Sequence, residues 1–179
     1  MKVGTTLRTG SAAQVAKDGA TAVKAMCGAE PAFVMAFAST KQPLGDVLAG
    51  LAKEMPNALV LGASTAGEFT EEGDAKGSTS LFAVAGELKA YAGFSAGLAA
   101  DPEAAVRKAA SSLPKKVDGY PHRTAIVLLD ALAGVSEETT LLVADALGDD
   151  VRLAGGAAGD DLQFAAPLVG VGGQNGKDS

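Results

Sequence analysis

The sequence predicts an α/β fold: a mixed, mostly parallel β-sheet flanked by helices, with an antiparallel hairpin inserted at about residues 78–95. Three observations carry that expectation. Short continuous apolar runs alternate with segments of helical period, as doubly covered strands alternate with the helices that cover them. Two of those runs, at 58–62 and 151–154, dissolve into Gly, Ala and Ser before an acid appears. One pair of strand-like runs is separated only by Gly86-Glu87, and Gly at the first of two turn positions suits a type II′ hairpin.

Taken in order, residues 2–7 read as a strand, and Ser11 caps a helix to about Met26, with Val15, Ala22, Val23 and Met26 on its apolar side. "PAFVMAFAS" (31–39) is an unbroken apolar strand. Pro43 opens a second helix, on which Leu44, Val47, Leu48, Leu51 and Met55 fall at helical spacing. "ALVLG" (58–62) is the next strand, followed by a loop over 63–77. "STSLFAVA" (78–85) and "LKAYAGFS" (88–95) are the arms of the expected hairpin. Asp101-Pro102-Glu103 starts a helix with a cap, a first-turn proline and an acid at its positive end. "TAIVLLD" (124–130) is a strand, Ser136 opens a helix to about Leu147, and "VRLA" (151–154) and "LQFAAPLVGV" (162–171) are the last strands. The chain thus reads as one domain over 1–171, with 172–179, polar and glycine-rich, as a flexible tail.

Composition narrows the function. The chain has 179 residues, 47% hydrophobic and 20% charged, with a net charge of −6. That balance fits a globular domain and argues against a nucleic-acid partner, which needs Lys and Arg against phosphates. No hydrophobic leader follows Met1 and no apolar run reaches the length of a membrane span, so a cytoplasmic, bacterial-type protein is expected. Cys27 is the one cysteine and His122 the one histidine, too few for a structural zinc site. Neither a metal nor a cofactor is expected.

The two small-residue stretches are the candidate site: Gly62, Ala63, Ser64, Thr65, Ala66, Gly67 and Glu68 in the first, Gly155, Gly156, Ala157, Gly159, Asp160 and Asp161 in the second. The first is not a P-loop, because no Gly-Lys-Ser/Thr follows, and not G-x-S-x-G, because its second glycine comes one place late. A Ser64/Asp101/His122 triad has an allowed order but no local support, and Asp101 serves better as a helix cap. The second resembles a dinucleotide fingerprint only loosely, since "DDLQFAAP" rather than a helix follows. One reading covers both stretches. Small residues leave space and expose N–H donors for an anion, while Glu68 and Asp160 or Asp161 supply a negative end, which together suit a zwitterion such as an amino acid. The alternative is that Gly and Ala merely permit tight turns and close packing.

"LGASTAGEF" and "LAGGAAGDD", with "SLFAVAG" and "IVLLDALAG" between them, resemble the N-terminal domain of the FIST family from about Lys2 to Phe164. The resemblance implies a sensory input domain for small ligands such as amino acids, with a C-terminal FIST domain or a signalling output domain as partner. Members typically carry Cys where Ala63 stands, so no thiol chemistry transfers to that position.

Three functions follow, in this order: a non-catalytic small-ligand sensory domain, a protein-interaction or scaffold module, and a hydrolase. The first requires 62–68 and 155–161 to face one another across a common cleft.

Overall fold

The computed structural model describes all 179 residues. Ten strands and four helices follow one another: β1 (Lys2–Arg8), α1 (Ala12–Cys27), β2 (Phe33–Ser39), α2 (Leu44–Glu54), β3 (Leu59–Thr65), β4 (Phe69–Thr70), β5 (Gly73–Asp74), β6 (Thr79–Ala85), α3 (Pro102–Ala110), β7 (Arg123–Asp130), α4 (Ser136–Leu147), β8 (Val151–Ala158), β9 (Val169–Val171) and β10 (Gln174–Gly176). A short 3₁₀ turn, Ala131–Ala133, joins β7 to α4.

Six strands form the main sheet in the order β1-β6-β2-β3-β9-β10. Only β2 and β3 run parallel in it; the other pairings are antiparallel. The expected α/β class with a mixed sheet is present, but the sheet is mostly antiparallel rather than mostly parallel. The reason is β6, which returns between β1 and β2 instead of extending the sheet beyond β3. The same placement removes the expected hairpin at 78–95. Both edges of β6 are taken, by β1 and by β2, so Leu88–Ser95 cannot fold back onto β6 as a hairpin arm and leaves the sheet. It runs instead against α3, where Gly93 approaches so closely that a Cβ there would lie 2.0 Å from the Ala109 carbonyl oxygen.

Helices α1 and α2 cover one face of the main sheet. Ser11 caps α1 by accepting the Gln14 N–H, and Gly28 ends it in the left-handed region. The apolar positions of α2, Leu44, Val47, Leu48 and Leu51, are fully buried with Met55 just beyond it, against Val34, Ala36 and Ala38 of β2. Truncating a leucine such as Leu48 to alanine costs about 2–5 kcal/mol in such a setting. On α1 the buried stripe is Val15, Ala16, Ala20, Val23 and Cys27; Met26, expected on it, lies one step round and is exposed.

Strands β7 and β8 form a separate parallel ribbon. Val127 and Leu129 face α3 and α4, packing with Leu98 and Ala105. Ile126 and Leu128, on the alternate positions, face the other way, toward the second face of the main sheet.

The stretch 162–171, expected as a continuous strand, contributes only β9. The N–H groups of Phe164, Ala165 and Ala166 are taken by the Asp160 carboxylate, so they are withdrawn from any ladder. Residues 172–179, expected as a flexible tail, are built into the fold: β10 pairs with β9, the Asp178 N–H bonds the Asp130 carboxylate, and the Ser179 carbonyl accepts the Asp130 N–H.

Candidate functional site

Both small-residue stretches are largely strand rather than loop. Ala63, Ser64 and Thr65 pair with Phe37, Ala38 and Ser39 of β2, and Gly155 through Ala158 pair with Val127 through Asp130 of β7. Two glycines explain the local composition. A Cβ at Gly62 would lie 2.1 Å from the Ala36 carbonyl oxygen, and one at Gly155 would lie 2.0 Å from that of Val127. Gly156 is different, because a Cβ there would meet open space.

The ends of β3 and β8 come together as the small-ligand reading requires. The Gly159 N–H donates to the Ser64 carbonyl at 2.9 Å, and the Asp161 N–H donates to that of Thr65 at 3.2 Å. The Ser64 hydroxyl donates to the Gly159 carbonyl at 2.7 Å and accepts the Leu168 N–H at 2.7 Å. Those partners account for the hydroxyl without a histidine, and His122 is exposed in the loop before β7.

A cleft of about 330 Å³ lies between the main sheet and the ribbon. Its floor is Met35 and Phe37 of β2 with Ala63, Ser64 and Thr65 of β3. Its other wall is Ile126 and Leu128 of β7 with Ala154 to Ala157 of β8. The register of the ribbon sets Ile126 beside Ala154 and Leu128 beside Gly156, so on the face toward the cleft large and small side chains stand in pairs. Where the small member stands, the two layers do not close. A larger groove of about 510 Å³ runs along α4, between Val135, Leu141 and Leu142, and is rimmed by Glu137, Glu138 and Asp145. It is built by one helix and the turn before it, with no opposing wall, so the cleft between layers is the better candidate for enclosing a molecule.

Of the expected site residues, Ala63, Ser64, Thr65, Gly155, Gly156 and Ala157 line the cleft. Gly62 is turned toward α2, where its absent side chain makes room for Ala36 and Leu48. Ala66 and Gly67 are exposed beyond the end of β3, and Gly159 packs against the backbone of Thr65 and Ala66.

The three acids lie outside the cleft and are engaged elsewhere. Glu68 is buried and accepts the hydroxyls of Thr65 and Ser78. Asp160 accepts the N–H groups of Phe164 at 2.9 Å, Ala165 at 2.6 Å and Ala166 at 3.0 Å. Those backbone donors, Ala165 and Ala166 foremost, hold its carboxyl below the usual carboxylate range. Asp161 accepts the Thr40 and Ser39 hydroxyls, and the Thr40 hydroxyl is the main reason that its carboxyl too lies below its ordinary range. Both aspartates therefore anchor the segment 161–166 to the ends of β2 and β8. That segment holds Asp161, Leu162 and Phe164 in the left-handed region, and it leaves Leu162 and Phe164 exposed.

Sequence reasoning missed Met35, Phe37, Ile126, Leu128 and Ala154. The signal was the unbroken apolar character of 33–38 and 125–129, which requires cover on both faces of each strand. What the sequence does not say is that the two second faces cover each other and leave a gap.

No helix is long and apolar enough to cross a membrane. No curated protein and no solved structure matches the chain. The family model described as FIST, FIST N domain, matches residues 32–177.

Proposed function

The chain belongs to the FIST N domain family, and from that membership we propose that it is a non-catalytic sensory domain that takes a small molecule into the cleft between the main sheet and the β7–β8 ribbon. The observation that carries this reading is the cleft itself, bounded by both small-residue strand ends and by apolar side chains from two separately packed layers. A molecule there touches β3 and β8 at once. Occupancy would bias how the ribbon sits on the sheet, and a C-terminal FIST domain or a signalling output domain would read that bias. An amino acid is one candidate ligand from the family resemblance.

The test is a thermal-shift screen of amino acids and other small metabolites on the intact domain, repeated on Gly156→Leu. A ligand of the native state raises its melting temperature with concentration. The side chain of the variant occupies the open space at Gly156 and should remove that response. A ligand whose shift survives the variant binds somewhere else, and the cleft is then not the site.

One observation favours the scaffold reading instead: Leu162 and Phe164 are both exposed on the segment that Asp160 and Asp161 anchor. If they dock a partner, Leu162→Ser with Phe164→Ser should abolish partner binding while leaving the ligand shift intact.

A further inference from the structure

The cleft wall carries no charged side chain, and its polar side chains are already partnered. Ser64 is tied to Gly159 and Leu168, and the Thr65 hydroxyl is given to Glu68. The rest of the lining is Met35, Phe37, Ile126, Leu128 and small aliphatic or glycine residues. The ribbon side of the cleft is open to solvent, with Ala154 to Ala157 exposed, so a charged group there keeps part of its hydration. An ammonium or carboxylate against this wall nevertheless finds no counter-charge and gives up the rest of that hydration for nothing in return. The polar capacity that does remain is backbone. β8 pairs only with β7, so alternate residues along its other edge leave N–H and C=O groups outside any ladder.

Resting on the small-ligand reading above, we propose that the ligand class of the cleft is a neutral, largely apolar small molecule with one hydrogen-bonding function, such as an amide or an alcohol, and not a zwitterion. Its hydrocarbon part lies between Phe37 and Leu128, and its polar atom meets the free edge of β8. The size agrees. A cavity of about 150 Å³ accepts benzene, and this cleft, at about 330 Å³, has room for a ring with a short substituted chain.

Three probes with one carbon skeleton separate the possibilities: 3-phenylpropanamide, 3-phenylpropanoate and phenylalanine. Each is titrated by calorimetry into the intact domain, into Gly156→Leu and into Ile126→Asp, after circular dichroism has checked both folds. Ile126 is 39% exposed, so an acid is tolerated there while placing a charge at the cleft wall. We expect the amide to bind at least about tenfold more tightly than either charged probe, and each variant to weaken it by about tenfold or more, the scale on which filling an apolar pocket discriminates. Phenylalanine binding as tightly as the amide, and losing that binding in Gly156→Leu, overturns the neutral class while leaving the cleft as the site. Amide binding indifferent to both variants removes the cleft altogether. Absence of amide binding up to its solubility limit, in a folded domain, also overturns the assignment.

Discussion

Gly155 and Gly156 are neighbours in β8, yet they should answer the same added methyl group in opposite ways. At Gly155 a Cβ would sit 2.0 Å from the Val127 carbonyl oxygen and 2.9 Å from its carbon. Those are backbone atoms of the paired strand, so they cannot swing aside; β7 and β8 must separate locally and weaken their ladder. Overpacking of this kind costs about 1–3 kcal/mol, sometimes more. At Gly156 nothing lies within 4 Å of the added carbon, and alanine restricts the unfolded chain, which stabilises by about 0.4–1 kcal/mol where the native conformation permits. The two variants should thus differ by roughly 1.5–4 kcal/mol. For a domain of this length each kcal/mol moves the melting temperature by about 2–4 °C, which gives a gap of roughly 3–16 °C. Calorimetric melts of Gly155→Ala and Gly156→Ala at neutral pH measure it directly. Equal melting temperatures, or a less stable Gly156→Ala, would refute the packing described for the ribbon and with it the open side of the cleft.

Three further outcomes follow from the geometry. Ser64→Ala takes the acceptor from the Leu168 N–H and the donor from the Gly159 carbonyl, each worth about 1–3 kcal/mol when left unmade; a melting temperature within about 1 °C of wild type would show that these bonds do not pin β3 to the end of β8. Asp160 and Asp161 both have folded pKa values below their unfolded ones, near 4, so their stabilisation is complete above that pH and is lost as pH falls through the lowered folded values. Asp160→Asn should then be less stable than wild type at pH 7 and lose less on acidification to pH 3, and parallel melting curves against pH would contradict the anchoring role. Leu48→Ala should cost about 2–5 kcal/mol in urea unfolding, because the residue is fully buried between α2 and the sheet; a cost under 1 kcal/mol would place it outside the core.

The helices were legible in the sequence because their signals are local. Ser11, Asp101 and Pro102 mark starts that the structure reproduces, and the spacing of Leu44, Val47, Leu48 and Leu51 names the buried face of α2. Strand order was not legible, because pairing is decided between distant segments. Nothing near Thr79–Ala85 announces that this strand inserts between β1 and β2, and that insertion turned the sheet antiparallel and dissolved the expected hairpin. At the site, the meeting of the two small-residue stretches could be anticipated from their shared plan. The roles of the acids could not. Asp160 reads as a candidate ligand group until its carboxylate is seen to be taken by three backbone N–H groups in the next turn of chain.

The position of β3 between β2 and β9 has a consequence for synthesis. Ala63 faces Phe37 on one side and Val169 on the other, so one of its neighbours is made shortly before it and the other long after. At about 5–20 residues per second, the nascent chain spends roughly 5–20 seconds with the outer side of β3 unpaired. During that time an apolar strand presents open N–H and C=O groups, a template on which a neighbouring nascent chain can pair wrongly. Chains translated close together on one messenger are the ones exposed to that error, and a slow start to β9 lengthens the interval in which it can occur.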